Sequence, residues 1–190
     1  MYYNTQRFDQ AEAYYLRALE IRERLAKAHP EAYEAYVATT LNNLGALYYN
    51  TQRFGKAEAY YLRALEIRER LAKANPEAYE ADLAGTLNNL ADLYSDTQRF
   101  DQAEAYYLRA LEIRERLAKA HPEAYESYVA QTLNNFANLY SDTKRFDQAE
   151  EYHLRALEIY ERLASQWPDV YASKVKMVQR NLQILKRLFT

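Results

Sequence analysis

Apolar residues step by three and four along almost the whole chain, and the steps fall into two alternating stretches. In 57–74, AEAYYLRALEIRERLAKA, the residues Ala57, Tyr60, Tyr61, Ala64, Ile67 and Leu71 share one broad face, the spacing of an amphipathic helix. The stretch is rich in Ala, Leu, Glu and Arg and holds no Gly or Pro, which favours helix over strand. Its other face is expected to be solvated, with Glu66 before Arg70 and Glu69 before Lys73 setting acid four residues ahead of base. This is helix B. The stretch that follows, PEAYEADLAGTLNNLADLYSDT, carries a second helical stripe at Tyr79, Leu83, Leu87, Leu90 and Tyr94, and is helix A. Pro76 suits a first helical position and Asn75 a cap, with His29, His121 and Trp167 at the equivalent places. Between A and B runs NTQRF, SDTQRF or SDTKRF, where Asp101 and Glu104 have the spacing of a capping box and Gly55 replaces the aspartate in one copy.

The pattern repeats. Pro30, Pro76, Pro122 and Pro168 are each 46 residues apart, and the 57–74 wording recurs unchanged at 11–28 and 103–120 and altered at 149–166. Such fidelity means recent duplication or deliberate design. A hairpin of two helices about 30 Å long cannot bury both apolar faces alone, so neighbouring hairpins are expected to stack. The predicted fold is all-α: an α-solenoid of antiparallel helix hairpins, about eight helices in the order B, A, B, A, B, A, B, A. The chain divides as an unpaired B helix in 1–29, full A–B repeats in 30–75, 76–121 and 122–167, and a capping helix in 168–190.

Composition narrows the functions. The formal net charge of −2 argues against nonspecific nucleic-acid binding, which needs clustered cations. The absence of Cys removes thiol chemistry, and three Gly leave no phosphate-cradling loop. No stretch approaches a membrane span and no leader pattern is visible, so a cytoplasmic, non-membrane protein is expected. His29, His121 and His153 are too dispersed for a metal site. No nucleophile with a base partner appears, so neither catalysis nor a cofactor is expected.

Charge is sorted between the helices. From Pro30 to Gln52, Pro76 to Gln98 and Pro122 to Thr143 there is no Lys or Arg but there are ten acids. Glu31, Glu34, Glu77, Glu80, Glu123 and Glu126 fall in first turns, where the helix dipole favours them. Asp82, Asp92, Asp96 and Asp142 remain. Most tyrosines are expected in the core, with Tyr36, Tyr49 and Tyr128 the ones to be exposed. The last helix keeps a stripe at Tyr171, Val175, Val178, Leu182, Leu185 and Leu188 but gains Lys174, Lys176, Gln179, Arg180, Lys186 and Arg187, the look of a terminal cap. Ala11, Tyr14, Tyr15 and Ala18 on the first helix lack a partner helix, and self-association there, giving a homo-oligomer, is the expectation.

These motifs resemble the tetratricopeptide repeat, whose signature sets a bulky residue, Leu, Gly and Tyr on one helix and Ala, an aromatic and Ala on the next. Leu41, Leu44, Gly45, Tyr48, Ala57, Tyr61 and Ala64 match it, as do Leu87, Leu90, Ala91, Tyr94, Ala103, Tyr107 and Ala110, then Leu133, Phe136, Ala137, Tyr140, Ala149, His153 and Ala156. Gly45, Ala91 and Ala137 are expected to let helices A and B approach closely. The wording TLNNL…LY…AE…RALEIRE is similar to the long repeats of kinesin light chains. The 46-residue period departs from the family's ~34. The resemblance implies a right-handed superhelix whose concave face, lined by helix A, binds a peptide or partner helix. Carried to this chain, the contact residues are Asn42, Asn88 and Asn134, whose amides can pair with an extended backbone, together with Tyr49, Asp92, Asp96, Asn138 and Asp142. The implied function is a noncatalytic scaffold, and the acids left over on helix A, read from the charge sorting alone, are expected to draw in a basic or neutral protein segment. The alternative is an engineered or excised array that only folds and assembles, with no native ligand.

Overall fold

A computed structural model describes the backbone of residues 2–189 and the side chains of residues 7–188. The described residues form eight α-helices: α1 Tyr2–Ala28, α2 Pro30–Asn50, α3 Phe54–Ala74, α4 Pro76–Asp96, α5 Phe100–Ala120, α6 Pro122–Asp142, α7 Phe146–Gln166 and α8 Pro168–Phe189. They lie in two compact units, Met1–Thr97 and Gln98–Thr190. In the first unit α1 packs on α2, α2 on α3 and α3 on α4; in the second α5 packs on α6, α6 on α7 and α7 on α8. No described helix is long and apolar enough to cross a membrane.

The B-to-A junction is a single residue. Asn75 accepts a hydrogen bond from the Ala78 amide, while His29 and His121 make no side-chain cap and leave Pro30 and Pro122 to start the helix. The A-to-B junction works differently from the expected capping box. The N-caps are Arg53, Arg99 and Arg145, none of which caps through its side chain, and Asp101 and Gly55 lie inside the helices. Glu104 instead takes both terminal nitrogens of Arg145. What makes the turn is a Schellman motif: Arg53 N–H donates to Tyr48 O at 2.8 Å and Gln52 N–H to Tyr49 O at 2.9 Å, satisfying carbonyls the helix end would orphan. The Thr51, Thr97 and Thr143 hydroxyls donate to carbonyls of the last turn. The motif forces a left-handed residue, and Gln52, Gln98 and Lys144 sit at φ 57°, 59° and 60°. An L side chain there is strained, so Gln52→Gly and Lys144→Gly should each raise stability by about 0.5 kcal/mol after glycine's unfolded-state entropy is subtracted. Urea midpoints check this, and a lowered midpoint would refute it.

The first copy departs from the others. Asn4–Phe8, equivalent to the Asn50–Phe54 junction, continue as helix within α1.

Burial follows the A stripe closely and the B stripe only in part. In α4, Leu83, Leu87, Leu90 and Tyr94 are buried, and so are Ala84, Thr86, Asn88, Ala91 and Leu93. In α3 the buried set is Ala57, Tyr61, Ala64, Leu65, Arg68 and Ala72, so Tyr60, Ile67 and Leu71 are only half-buried and a charged residue stands in the stripe. Close approach of A and B is visible at Gly45, where an added Cβ would meet the Tyr61 ring at 2.4 Å. Tyr36 and Tyr128 are exposed; Tyr49 is half-buried. In α8, Val178, Leu182 and Leu185 are buried, Tyr171 and Val175 half-buried, and Leu188 is 57% exposed, since it takes the register place of the exposed Asp96 and Asp142. Lys176, Gln179, Gln183 and Lys186 occupy the positions of Ala38, Leu41, Gly45 and Tyr48 and are exposed, so the side that is buried in α2 is polar in α8.

Candidate functional site

Helix A supplies the asparagines, and the structure shows where their amides go. Asn42 Oδ1 accepts from Asn89 Nδ2 at 3.2 Å and from the Thr86 hydroxyl at 3.3 Å, tying α2 to α4. Asn88 donates to Asp92 at 3.0 Å. In the second unit Asn134 Oδ1 accepts from Asn181 Nδ2 at 3.0 Å, tying α6 to α8. Asn88 and Asn134 are 3% and 4% exposed, so their amides are not displayed to a partner; the Asn42 and Asn134 bonds hold neighbouring A helices side by side, at about 1 kcal/mol per bond, while the Asn88 bond to Asp92 lies within α4. Sequence held a signal for this. Helices α2, α4 and α6 carry a doubled Asn-Asn, whereas α8 has Arg180-Asn181 and keeps only the member that reaches back to the preceding A helix.

The other A-helix candidates lie at the surface. Asp96, Asn138 and Asp142 are exposed, Asp92 and Tyr49 half-buried. The Tyr49 hydroxyl donates to Asp96. Burial, then Asp96 and Asp92, push the Tyr49 phenol well above its ordinary range, so it stays protonated and a donor. Asp82 faces the Arg68 guanidinium at 3.7 Å. The first-turn acids are explained by more than the dipole: Glu34 pairs with Arg70 and Glu126 with Arg162, each at 2.7 Å. Arg70 therefore reaches across to α2 for its hydrogen-bonded carboxylate. The same register ties Tyr48, Tyr94 and Tyr140 to Glu12, Glu58 and Glu104, and the Tyr48 hydroxyl, then Arg53, hold the Glu12 carboxyl below its usual range.

Two helix-B arginines that the sequence pattern did not single out are buried. Arg68 and Arg114 are 6% and 7% exposed. Arg68 donates to Asp82 O at 2.9 Å and to the Thr86 hydroxyl, and Arg114 to Tyr128 O at 3.1 Å and to the Thr132 hydroxyl. Arg22 makes the same pair of bonds to Tyr36 O and Thr40. Burial pulls the Arg68 pKa down against the nearby Asp82. One repeat later both partners change together, to Tyr160 and Val178, 2% and 0% exposed. That paired change was the available clue.

On α1, Tyr14 is 74% exposed, and Ala11, Tyr15 and Ala18 are part-buried. Ala11 and Tyr15 line a groove of about 360 Å³ with Arg7, Phe8, Asn43, Ala46, Leu47 and Asn50. Among the described residues no cluster of three or more His, Asp or Glu is arranged to hold a metal ion.

Paired helices with close A–B contact and a buried aromatic from helix B define a helical-repeat protein. The family model for the tetratricopeptide repeat matches residues 1–70 and 82–162, and the chain belongs to that family, whose members are generally protein–protein interaction scaffolds. Among solved structures it is similar to BtubC (BKLC) from P. vanneervenii, with a TM-score of 0.72 and 28% identity over 96% of this chain and 67% of that one. The apo form of RapI matches at TM-score 0.61 and 20% identity, over 96% of this chain and 66% of that one. The N-terminal domain of stress-induced protein-1 (STI-1) from C. elegans matches at 0.52 and 18%, over 77% of this chain and 97% of that one. The last two likenesses speak to fold alone. No curated protein matches the chain significantly.

Proposed function

We propose that the chain is a noncatalytic scaffold that takes a basic or neutral protein segment along its A-helix surface. One observation carries the reading. The helix-B wording, with its exposed surface, is repeated unchanged at 11–28, 57–74 and 103–120, while the accessible A-helix positions differ: Ala46, Asp92 and Asn138 occupy one place, and Tyr49, Ser95 and Ser141 another. Of the two surfaces, the one whose residues differ is the one that can recognise a segment selectively. Tyr49, Asp92, Asp96, Asn138 and Asp142 are the contact residues of this proposal. Asn42 and Asn134 tie neighbouring A helices together, and Asn88 holds the Asp92 carboxylate.

The accessible carboxylates set the charge preference. Binding of a randomised peptide library sorted by net charge tests it. Basic members should be enriched over acidic ones at low salt, and the triple variant Asp92→Asn, Asp96→Asn, Asp142→Asn should lower their association rate roughly tenfold. Acidic members binding as well as basic ones would overturn the preference. As a separate proposal, the α1 groove around Ala11, Tyr14, Tyr15 and Ala18 pairs two copies. A solution mass that stays monomeric as concentration rises would refute it.

A further inference from the structure

The second unit holds a pocket of about 250 Å³ between α6, α7 and α8, lined by Asn138, Ser141, Asp142, His153, Asn181, Ile184, Leu185 and Leu188. That is smaller than the cavities that hold drug-sized ligands, about 300–1,000 Å³, and suits one side chain. The first unit shows which side chain. Moving back two repeats, Ser141 becomes Tyr49, His153 becomes Tyr61, Ile184 becomes Asp92 and Leu188 becomes Asp96. There the Tyr49 hydroxyl bonds to Asp96, and the phenol lies close enough to Asp92 and Tyr61 to feel their charges. The chain's own aromatic ring thus fills in the first unit the place that Ser141 leaves open in the second.

The walls have changed to match an incoming ring. Asp92 and Asp96 are replaced by Ile184 and Leu188, which are 48% and 57% exposed, and Leu185 forms a floor at 1%. Large apolar side chains left open beside a recess lose water when a ring covers them. His153 adds a polar atom at the base: it is 1% exposed, and its Nδ1 has no hydrogen-bond partner.

We infer that this α6–α7–α8 pocket receives an aromatic side chain, Tyr or Phe, from a bound protein segment, in the place that Tyr49 occupies in the first unit. The inference rests on the A-helix-surface reading above and adds to it a residue type and a position. The side chain's backbone would run past Asn138 and Asp142 at the rim.

The test separates the two claims by using a probe that needs no peptide. p-Cresol titrated into the full chain, followed by amide and side-chain NMR shifts, should move resonances of Asn138, Ser141, His153 and Leu185 with a dissociation constant roughly in the millimolar range expected of so small a ligand. Ser141→Tyr, which supplies the ring internally, should abolish these shifts, and Ile184→Ala with Leu188→Ala, which touches only exposed walls, should weaken them at least threefold. Peptides that bind should lose about tenfold in affinity when their aromatic residue becomes Ala, and lose nothing further in Ser141→Tyr. Cresol shifts that persist in Ser141→Tyr, or that lie outside the pocket, would overturn the inference. Peptides that bind the A-helix surface with no dependence on an aromatic residue would overturn it too and leave the surface reading standing. Cresol binding that obeys the variants, with no peptide binding anywhere, would show that the pocket takes a ring but overturn its use by a protein segment together with the surface reading.

Discussion

Valine in place of Thr86 is expected to cost about 2 kcal/mol, because it takes a hydroxyl from a buried guanidinium that then has nothing to replace it. Arg68 is 6% exposed, and its Nε already lacks a partner, so the loss falls on a group desolvated at the edge of what its bonds repay. The same Thr86→Val change should cost about 0.5 kcal/mol when Arg68 is also Tyr, because no buried cation then depends on the hydroxyl and what is lost is its long bond to Asn42. The chain has built that solution itself at Tyr160 and Val178. A double-mutant cycle from urea midpoints therefore predicts a coupling of about 1.5 kcal/mol between the two positions. Equal costs of Thr86→Val in both backgrounds would show that the arginine does not depend on the threonine.

Acid should strike through His153. Burial holds its pKa down to about 4 from an ordinary 6.5, so between those values the unfolded chain binds a proton that the folded chain refuses. Stability from this group is complete above pH 6.5 and is lost as pH falls through about 4, by roughly 3 kcal/mol in all. Tyr61 and Tyr107 stand at the equivalent places and carry no such charge in acid. Urea midpoints measured from pH 7 to 4 should fall more steeply for the unaltered chain than for His153→Leu, by that amount. Parallel curves would mean that the imidazole takes up its proton without disturbing the fold.

Much of the fold was legible because the information was local and repeated. Proline at a fixed interval marked each helix A, and three-four spacing marked Leu83, Leu87, Leu90 and Tyr94 as buried. The turns were less legible. A Schellman turn led by Gln52 or Lys144 hides its left-handed residue under an ordinary side chain, and the neighbouring acids suggested a capping box instead. Arg68 and Arg114 were missed because burial of a cation depends on carbonyl and hydroxyl acceptors that another helix brings, a tertiary fact. The amide ladder was read one step short. Its spacing was plain, but that Asn89 reaches Asn42 and Asn181 reaches Asn134 required the next A helix to be in place. The pocket at Ser141 was invisible for the same reason, since a small residue is informative only when the ring it replaces is known to fill a space.

The most direct test of the scaffold reading is where a bound segment touches. A photo-crosslinking amino acid placed at Asn138 on the A-helix surface, or at Leu62 on the exposed side of helix B, is irradiated with a basic, aromatic-containing peptide that binds the chain. Crosslinks from position 138 and none from position 62 are the expected result; crosslinks from position 62 alone would contradict it.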